Sequence, residues 1–163
     1  MAQEQRQQRG HRRRRNTRRE KPEFDNRLLD LARVTRVVKG GRRFSFRATV
    51  VIGDRKGRVG VGVAKGTDVS SAMQKAVNAA KKNLIIVPMT NGTIPHDITL
   101  KHGSARIIMK PAKAGRGVIA GGAMRIIVNL AGIRDIVTKS LGTSNKLNVA
   151  RATCEALRQL KKV

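Results

Sequence analysis

Tryptophan and tyrosine are absent from this 163-residue chain, and its aromatic residues are Phe24, Phe44 and Phe46 alone. Proteins that grip single-stranded nucleic acid usually stack bases on aromatic side chains, so that mode has little to work with. Cysteine is down to one, Cys154. That excludes an intrachain disulfide and any site needing several thiolates, and it fits a reducing compartment. Apolar runs are too short for a membrane span, and residues 1–22 have no apolar stretch of the signal-peptide kind. No basic helix carries the bulky apolar face that membrane-surface binding needs. We expect a cytoplasmic protein, or less readily one of an organelle matrix, with no membrane partner. Acidic residues number 10 and are scattered singly, so paired carboxylates for acid–base chemistry are missing. His11 lies in a basic stretch, and His96 and Asp97 are strand neighbours that point apart. His102 falls on the apolar side of its expected strand. We therefore expect no metal site, no cofactor and no enzyme. Cys154 sits at an inward position of an expected helix, where a buried, inert thiol is the simpler reading.

Positive charge is what the chain has in excess: 36 Lys+Arg against 10 Asp+Glu leave +26. Such a charge opposes compaction unless a polyanion neutralises it. Nucleic acid is the natural partner, because each neutralised phosphate releases a counterion. With so few aromatics, contacts should go mainly to phosphates, sugars and folded RNA shape. The 39% of hydrophobic residues suffices for a core, and the length suits one domain or two small ones.

Three regions follow from the residue pattern. Residues 1–22 form a basic arm with Arg12, Arg13, Arg14, Arg15, Arg18 and Arg19; lacking apolar residues, it is expected to be disordered alone and to thread into RNA. Residues 23–90 read as β-β-β-α. Val34, Val37 and Val38 lie in the first strand, and Gly40-Gly41 makes a tight turn. Phe44, Phe46, Ala48, Val50 and Ile52 then alternate with Arg43, Ser45, Arg47 and Thr49. The third strand sets Val59, Val61 and Val63 against Gly60 and Gly62. Asp68 caps a helix with a stripe of Val69, Ala72, Met73, Ala76, Val77, Ala80 and Leu84. Pro88, Asn91-Gly92 and Pro95 mark a break. Residues 91–163 read as β-β-α-β-α: a hairpin turning at Gly103-Ser104, a glycine-rich loop from Pro111 to Gly122, a helix from Met124 to Ala131, a strand from Ile133 to Leu141, and a last helix capped by Ser144 or Asn145 with Leu147, Ala150, Cys154, Leu157 and Leu160 inward. The fold class is α+β in two small domains.

Lys39-Gly40-Gly41-Arg42-Arg43 places unopposed cations on an exposed tip and points to an RNA-inserting loop. Arg33, Arg36, Arg47, Arg55, Lys56, Arg58, Lys65, Lys75, Lys81 and Lys82 join the candidate RNA contacts. Gly60 to Thr67 resembles a phosphate loop only superficially, because Lys65-Gly66-Thr67 has the wrong order. Small residues there admit either RNA backbone or a packed helix. Lys113, Gly115, Arg116, Gly117, Gly121, Gly122 and Arg125 set free N–H groups beside cations at a helix start, suited to a phosphate or an acidic protein surface. A free-standing RNA chaperone is the rival reading.

Three motifs carry a family resemblance: Val37-Val38-Lys39-Gly40-Gly41-Arg42-Arg43-Phe44-Ser45-Phe46, Gly57-Arg58-Val59-Gly60-Val61-Gly62, and Gly115-Arg116-Gly117-Val118-Ile119-Ala120-Gly121-Gly122-Ala123-Met124-Arg125. Asn148 to Thr153 adds a fourth. From about Phe24 to the last helix the chain resembles the bacterial "S-five" family, the fifth protein of the small ribosomal subunit. The resemblance implies a double-stranded-RNA-binding-like first domain and a ribosomal-protein α+β second domain. It implies binding to small-subunit ribosomal RNA and a place near the messenger-RNA entry channel, with the fourth and eighth small-subunit proteins as neighbours. It also implies a Lys39–Arg43 loop near the spectinomycin site, and a Gly115–Arg125 segment that faces the fourth protein and affects decoding accuracy.

Overall fold

A computed structural model describes residues 23–161. The expected RNA contacts Arg12, Arg13, Arg14, Arg15, Arg18 and Arg19 lie outside the described residues. The elements are β1 (Asp25–Val38), β2 (Gly41–Gly53), β3 (Arg58–Gly66), α1 (Val69–Lys82), β4 (Leu84–Ile86), β5 (Ile98–His102), β6 (Ala105–Pro111), β7 (Val118–Ile119), α2 (Gly122–Ala131), β8 (Ile136–Ser140) and α3 (Lys146–Gln159). Two four-stranded sheets result, in the orders β1-β2-β3-β4 and β5-β6-β8-β7. The α+β class and the two-part division hold. The first part gains a short strand after its helix, and the second gains β7 inside the glycine-rich segment.

The first sheet is built by alternation. Val50, Ile52 and Ala48 pair with Gly62, Gly60 and Ala64, and this face buries against Ala72, Ala76 and Ala80 of α1. The glycines are there because the helix backbone is there. A Cβ on Gly62 would lie 2.1 Å from the Ala76 carbonyl oxygen, and one on Gly60 2.6 Å from that of Ala80. The packed helix, not RNA backbone, is what approaches this strand. Asp68 caps α1, accepting from the Ser70 N–H at 3.3 Å, while Lys81 and Lys82 sit in the last turn, where the helix dipole favours cations.

The opposite face of the sheet carries Val51 and Val59, which enter a second core with α2, α3 and the second sheet. Helices α2 and α3 are thus covered on both sides. The sequence Met124-Arg125-Ile126-Ile127-Val128-Asn129-Leu130-Ala131 is apolar around most of its circumference, as a helix between two layers should be. The same placement widens the buried surface of α3 to Val149, Ala150, Ala152, Thr153, Ala156 and Leu157. A one-sided stripe through Leu147 and Cys154 is therefore too narrow a description, and both are only partly buried.

Other boundaries shift. Strand β1 starts at Asp25, well before Val34, with a bulge between Leu28 and Asp30 that keeps its two faces in phase with β2. The hairpin turn consists of Lys39 and Gly40, one residue earlier than the Gly40-Gly41 expectation, because Gly41 already pairs with Val38. Strand β8 starts at Ile136, since Gly132 ends α2 at φ +92 and residues 133–135 form the link. His102 is exposed, and the strand holding it buries little beyond Ile98 and Leu100.

The close approach of β3 and α1 makes a direct test. Gly62→Ala should cost about 1–3 kcal/mol of stability, as overpacking against rigid backbone does. Gly40→Ala, with nothing within 4 Å of the added carbon, should move the urea midpoint far less. Equal midpoints for the two variants would show that α1 is not seated on those glycines.

Candidate nucleic-acid interface

The register of β1 and β2 explains how cations come to be presented. Strand β2 pairs with β3 only from Phe46↔Gly66 to Gly53↔Val59, while its pairing with β1 continues to Val38↔Gly41. The five pairs from Val34↔Ser45 to Val38↔Gly41 therefore form a two-stranded ribbon beyond the sheet. Its overhang is about 16 Å at strand spacing. Arg36 and Arg43 are directly opposite, and Val37 faces Arg42. Lys39 and Gly40 make the tip, and a Cβ on Gly40 or Gly41 would meet nothing within 4 Å. Arg33, Arg36, Lys39, Arg42 and Arg43 are exposed. Among the described residues, no carboxylate forms a salt bridge with any of them.

At the base of the ribbon, Arg47 pairs with Lys65 across the strands. Asp30 moderates that juxtaposition, with Oδ2 4.0 Å from Arg47 and Oδ1 3.4 Å from Lys146 Nζ. On α1, Lys75, Lys81 and Lys82 are exposed on the side away from the sheet.

The remaining candidates sit at the far end of β2, about 40 Å of strand from the tip. Here charge is spent internally. Asp54 Oδ1 accepts from the N–H groups of Lys56 at 2.7 Å and Arg58 at 3.0 Å, and its Oδ2 accepts from Arg58 Nε at 2.6 Å. Burial pushes the Asp54 carboxyl up, but the Arg58 side chain and the two backbone donors outweigh it and hold it below its ordinary 3.8. Arg58 also donates to Glu23 at 3.1 Å and lies over the Phe24 ring at 4.9 Å. Arg55 pairs with Asp25 at 2.9 Å. Lys56 alone of this trio has no ion-pair partner among the described residues.

The second cluster is anchored rather than loose. Gly115 and Gly117 have φ of +87 and +76. The Gly117 N–H donates to the buried Asp135 at 2.7 Å, and the Ile136 N–H donates back to the Gly117 carbonyl at 3.2 Å. Lys113, Gly115 and Arg116 form an exposed turn before β7. Gly121 and Gly122 begin α2 without a side-chain cap.

Arg125 lies on the outer side of α2, at an open groove of ≈ 730 Å³ that Arg27, Arg55 and Arg134 also line. Arg27 and Arg134 escape the sequence reading, because a groove shared by residues so far apart in the chain has no local signal. Cys154 is partly buried, and that burial, with Glu155 beside it, pushes its thiol up to about 12. It supplies no thiolate near neutral pH.

The geometry joins one set of cations on a projecting ribbon to a second set on a braced loop, and comparison with known proteins gives the setting. Residues 24–88 match the family described as ribosomal protein S5, N-terminal domain, and residues 100–163 match ribosomal protein S5, C-terminal domain. The chain belongs to the ribosomal protein S5 family. Proteins called small ribosomal subunit protein uS5 from three strains of Campylobacter jejuni (81-176, 81116 and RM1221) are similar to it. Each is 55% identical over 139 residues, 85% of this chain and 95% of theirs. Membership makes the chain a structural, non-enzymatic component of the small ribosomal subunit, with ribosomal RNA and other ribosomal proteins as partners, in the cytoplasmic ribosome.

The Asp54 clasp gives a pH test. A carboxyl with a lowered folded pKa contributes stability above its unfolded pKa and loses it as pH falls through the folded one. The urea midpoint of the wild type should therefore drop on acidification below about pH 4, and Asp54→Asn should flatten that limb while lowering the neutral midpoint. An acid limb of unchanged depth in the variant would mean that the clasp does not hold the turn.

Proposed function

We propose that this S5-family chain docks on small-subunit ribosomal RNA chiefly through phosphates. The overhanging hairpin enters the RNA with Arg33, Arg36, Lys39, Arg42 and Arg43, while Arg47 and Lys65 follow at its base. Lys75, Lys81 and Lys82 hold a second stretch of backbone. Arg55, Lys56 and Arg58 contribute less, since two of the three already serve carboxylates. The observation that carries this reading is the ribbon itself, a segment that buries nothing of its own and, together with Arg33 at its base, places five cations without a salt-bridge partner among the described carboxylates.

The finer role follows from the family resemblance together with the braced loop. The segment from Lys113 to Arg125 faces the fourth small-subunit protein, and through that contact the chain contributes to translational accuracy near the messenger-RNA entry channel. The eighth protein is a second neighbour. Asp135 fixes the shape of this segment from beneath, through Gly117. A shape fixed on one side is what an interface needs in order to bias a conformational equilibrium.

Binding of the isolated chain to ribosomal RNA fragments should weaken linearly on a log–log salt plot, by about 0.7–0.9 per contacted phosphate. A slope worth fewer than about two phosphates would argue for base readout. Lys39→Glu should leave the fold intact and alter spectinomycin sensitivity in cells; unaltered sensitivity would remove the drug site from this loop. Gly117→Arg puts a side chain at φ +76, and Arg125→Leu removes a cation from the groove. Both should raise readthrough of a stop-codon reporter without blocking subunit assembly, and a reporter that does not respond would count against the accuracy role.

A further inference from the structure

We propose that the face of the overhanging hairpin carrying Phe44 and Arg33 stacks against one unpaired base of the RNA, a contact different in kind from the phosphate contacts around it. The proposal rests on the reading that the hairpin enters RNA. The register puts Arg33, Thr35 and Val37 of β1 on one face with Phe46, Phe44 and Arg42 of β2. Nearer the body, that face is covered by α1, where Phe46, Ala48, Val50 and Ile52 pack. Beyond the start of α1 nothing covers it, so Phe44 is 46% exposed and Val37 74%. Phe44 is thus not part of the core that alternation assigns to it.

Exposed apolar side chains on a ribbon this cationic call for an occupant with both a flat apolar surface and negative charge. An unpaired nucleotide has both, whereas the face of a protein partner would have to bring its own acids to Arg42 and Arg33. The decisive detail is that the Arg33 guanidinium lies 3.7 Å from the Phe44 ring centroid. That pair is already formed on the exposed face, where ring and guanidinium together offer a surface on which a base can stack. The two other phenylalanines, Phe24 and Phe46, both pack against the α1 core and are partly buried. Phe44 is therefore the aromatic available for such a contact.

The test uses the full chain with two RNA probes, a fully paired duplex and the same duplex with one unpaired adenosine, the latter also made with 2-aminopurine at that position. The wild type should prefer the bulged duplex by about 5- to 100-fold and quench the 2-aminopurine. Phe44→Leu should erase the preference and the quenching, while affinity for the paired duplex and its salt slope stay unchanged. Arg33→Lys keeps the charge but loses the plane, and it should erase the preference equally; Phe44→Tyr should retain it. A preference that survives both Phe44→Leu and Arg33→Lys overturns the proposal. So does a wild type that binds both duplexes equally with a steep salt slope, which leaves the phosphate reading standing and frees this face for a protein partner. A wild type that binds neither duplex overturns both readings.

Discussion

Helix α2 ends inside the protein, and its last carbonyls have no water to turn to. They accept instead from the turn between β2 and β3. The Arg55 N–H donates to the Leu130 carbonyl and the Gly57 N–H to that of Ala131, both at 2.9 Å. This joins the two halves of the chain backbone to backbone, satisfying helix-end acceptors that would otherwise be buried without partners. The approach is close enough to dictate residue types on both sides. A Cβ on Gly53 would fall 2.3 Å from the Leu130 oxygen, and one on Gly132 would fall 2.2 Å from the Arg55 oxygen. With α2 held this way, Val51 and Val59 of the first sheet reach the core that Ile107, Met109 and Ile136 of the second sheet also share. The Asp54 clasp belongs to the same joint, because it sets the shape of the turn that caps the helix.

The joint also explains how so few acids serve so basic a chain. Asp54, Glu23 and Asp25 lie around it and neutralise Arg58 and Arg55. Asp68 caps α1, Asp135 braces the Gly117 loop, and Asp30 answers Arg47 and Lys146. Nearly every described carboxylate thus works where structure needs it, and few are left to oppose cations elsewhere. The solvent-exposed pairs among them add little stability one by one. Their consequence is spatial, since the uncompensated charge is pushed to the hairpin, to the outer side of α1 and to the rim of α2. Most of the acids that the described residues hold are placed at the joint, the α1 cap, the Gly117 loop and the base of the ribbon.

Local pattern was enough to read β2, β3, α1, α2 and a cap at Ser144 or Asn145, of which the structure uses Asn145, because alternation, helical spacing and cap residues act within a few positions. The ambiguity at Gly60 and Gly62 was also visible there, though only the fold decides it for the helix. Strands of two or three residues such as β7 and β4 carry no period, and they exist through the long-range pairs Val118↔Ile136 and Val59↔Ile85. The doubled burial of α2 and α3 was illegible for a similar reason, as a period names a buried face but not how many layers will cover it. The candidate cations were legible as charge, whereas their division into free and committed groups was not. Arg58 and Arg42 look alike in the sequence, and only the placement of Asp54 separates them. Phe44 shows the opposite failure: its alternation is sound, but the helix that covers the same face farther along starts beyond it.

Among the described residues, the overhanging ribbon is the least self-sufficient part, and its weakness follows from its pairing and its charge. Two strands without a third are marginal in water. Arg36 directly opposite Arg43 makes matters worse, since like charges across a pair destabilise it. Against this stand the cross-strand pairs, the Arg33–Phe44 stack and a tip whose Gly41 takes φ +133 without strain. A polyanion that neutralises Arg36 and Arg43 removes the repulsion and makes new contacts at once, so the bound ribbon is stabilised by more than the contacts alone. By mass action the same linkage means that whatever binds the ribbon also stabilises the fold. The body has less need of such help, because its core is apolar and its joint combines backbone hydrogen bonds with cations already matched to carboxylates. Buried and exposed roles are therefore divided along the length of β2. Its Ala48–Gly53 end is buried between helices, and among the described residues its Gly41–Ser45 end pairs with β1 alone.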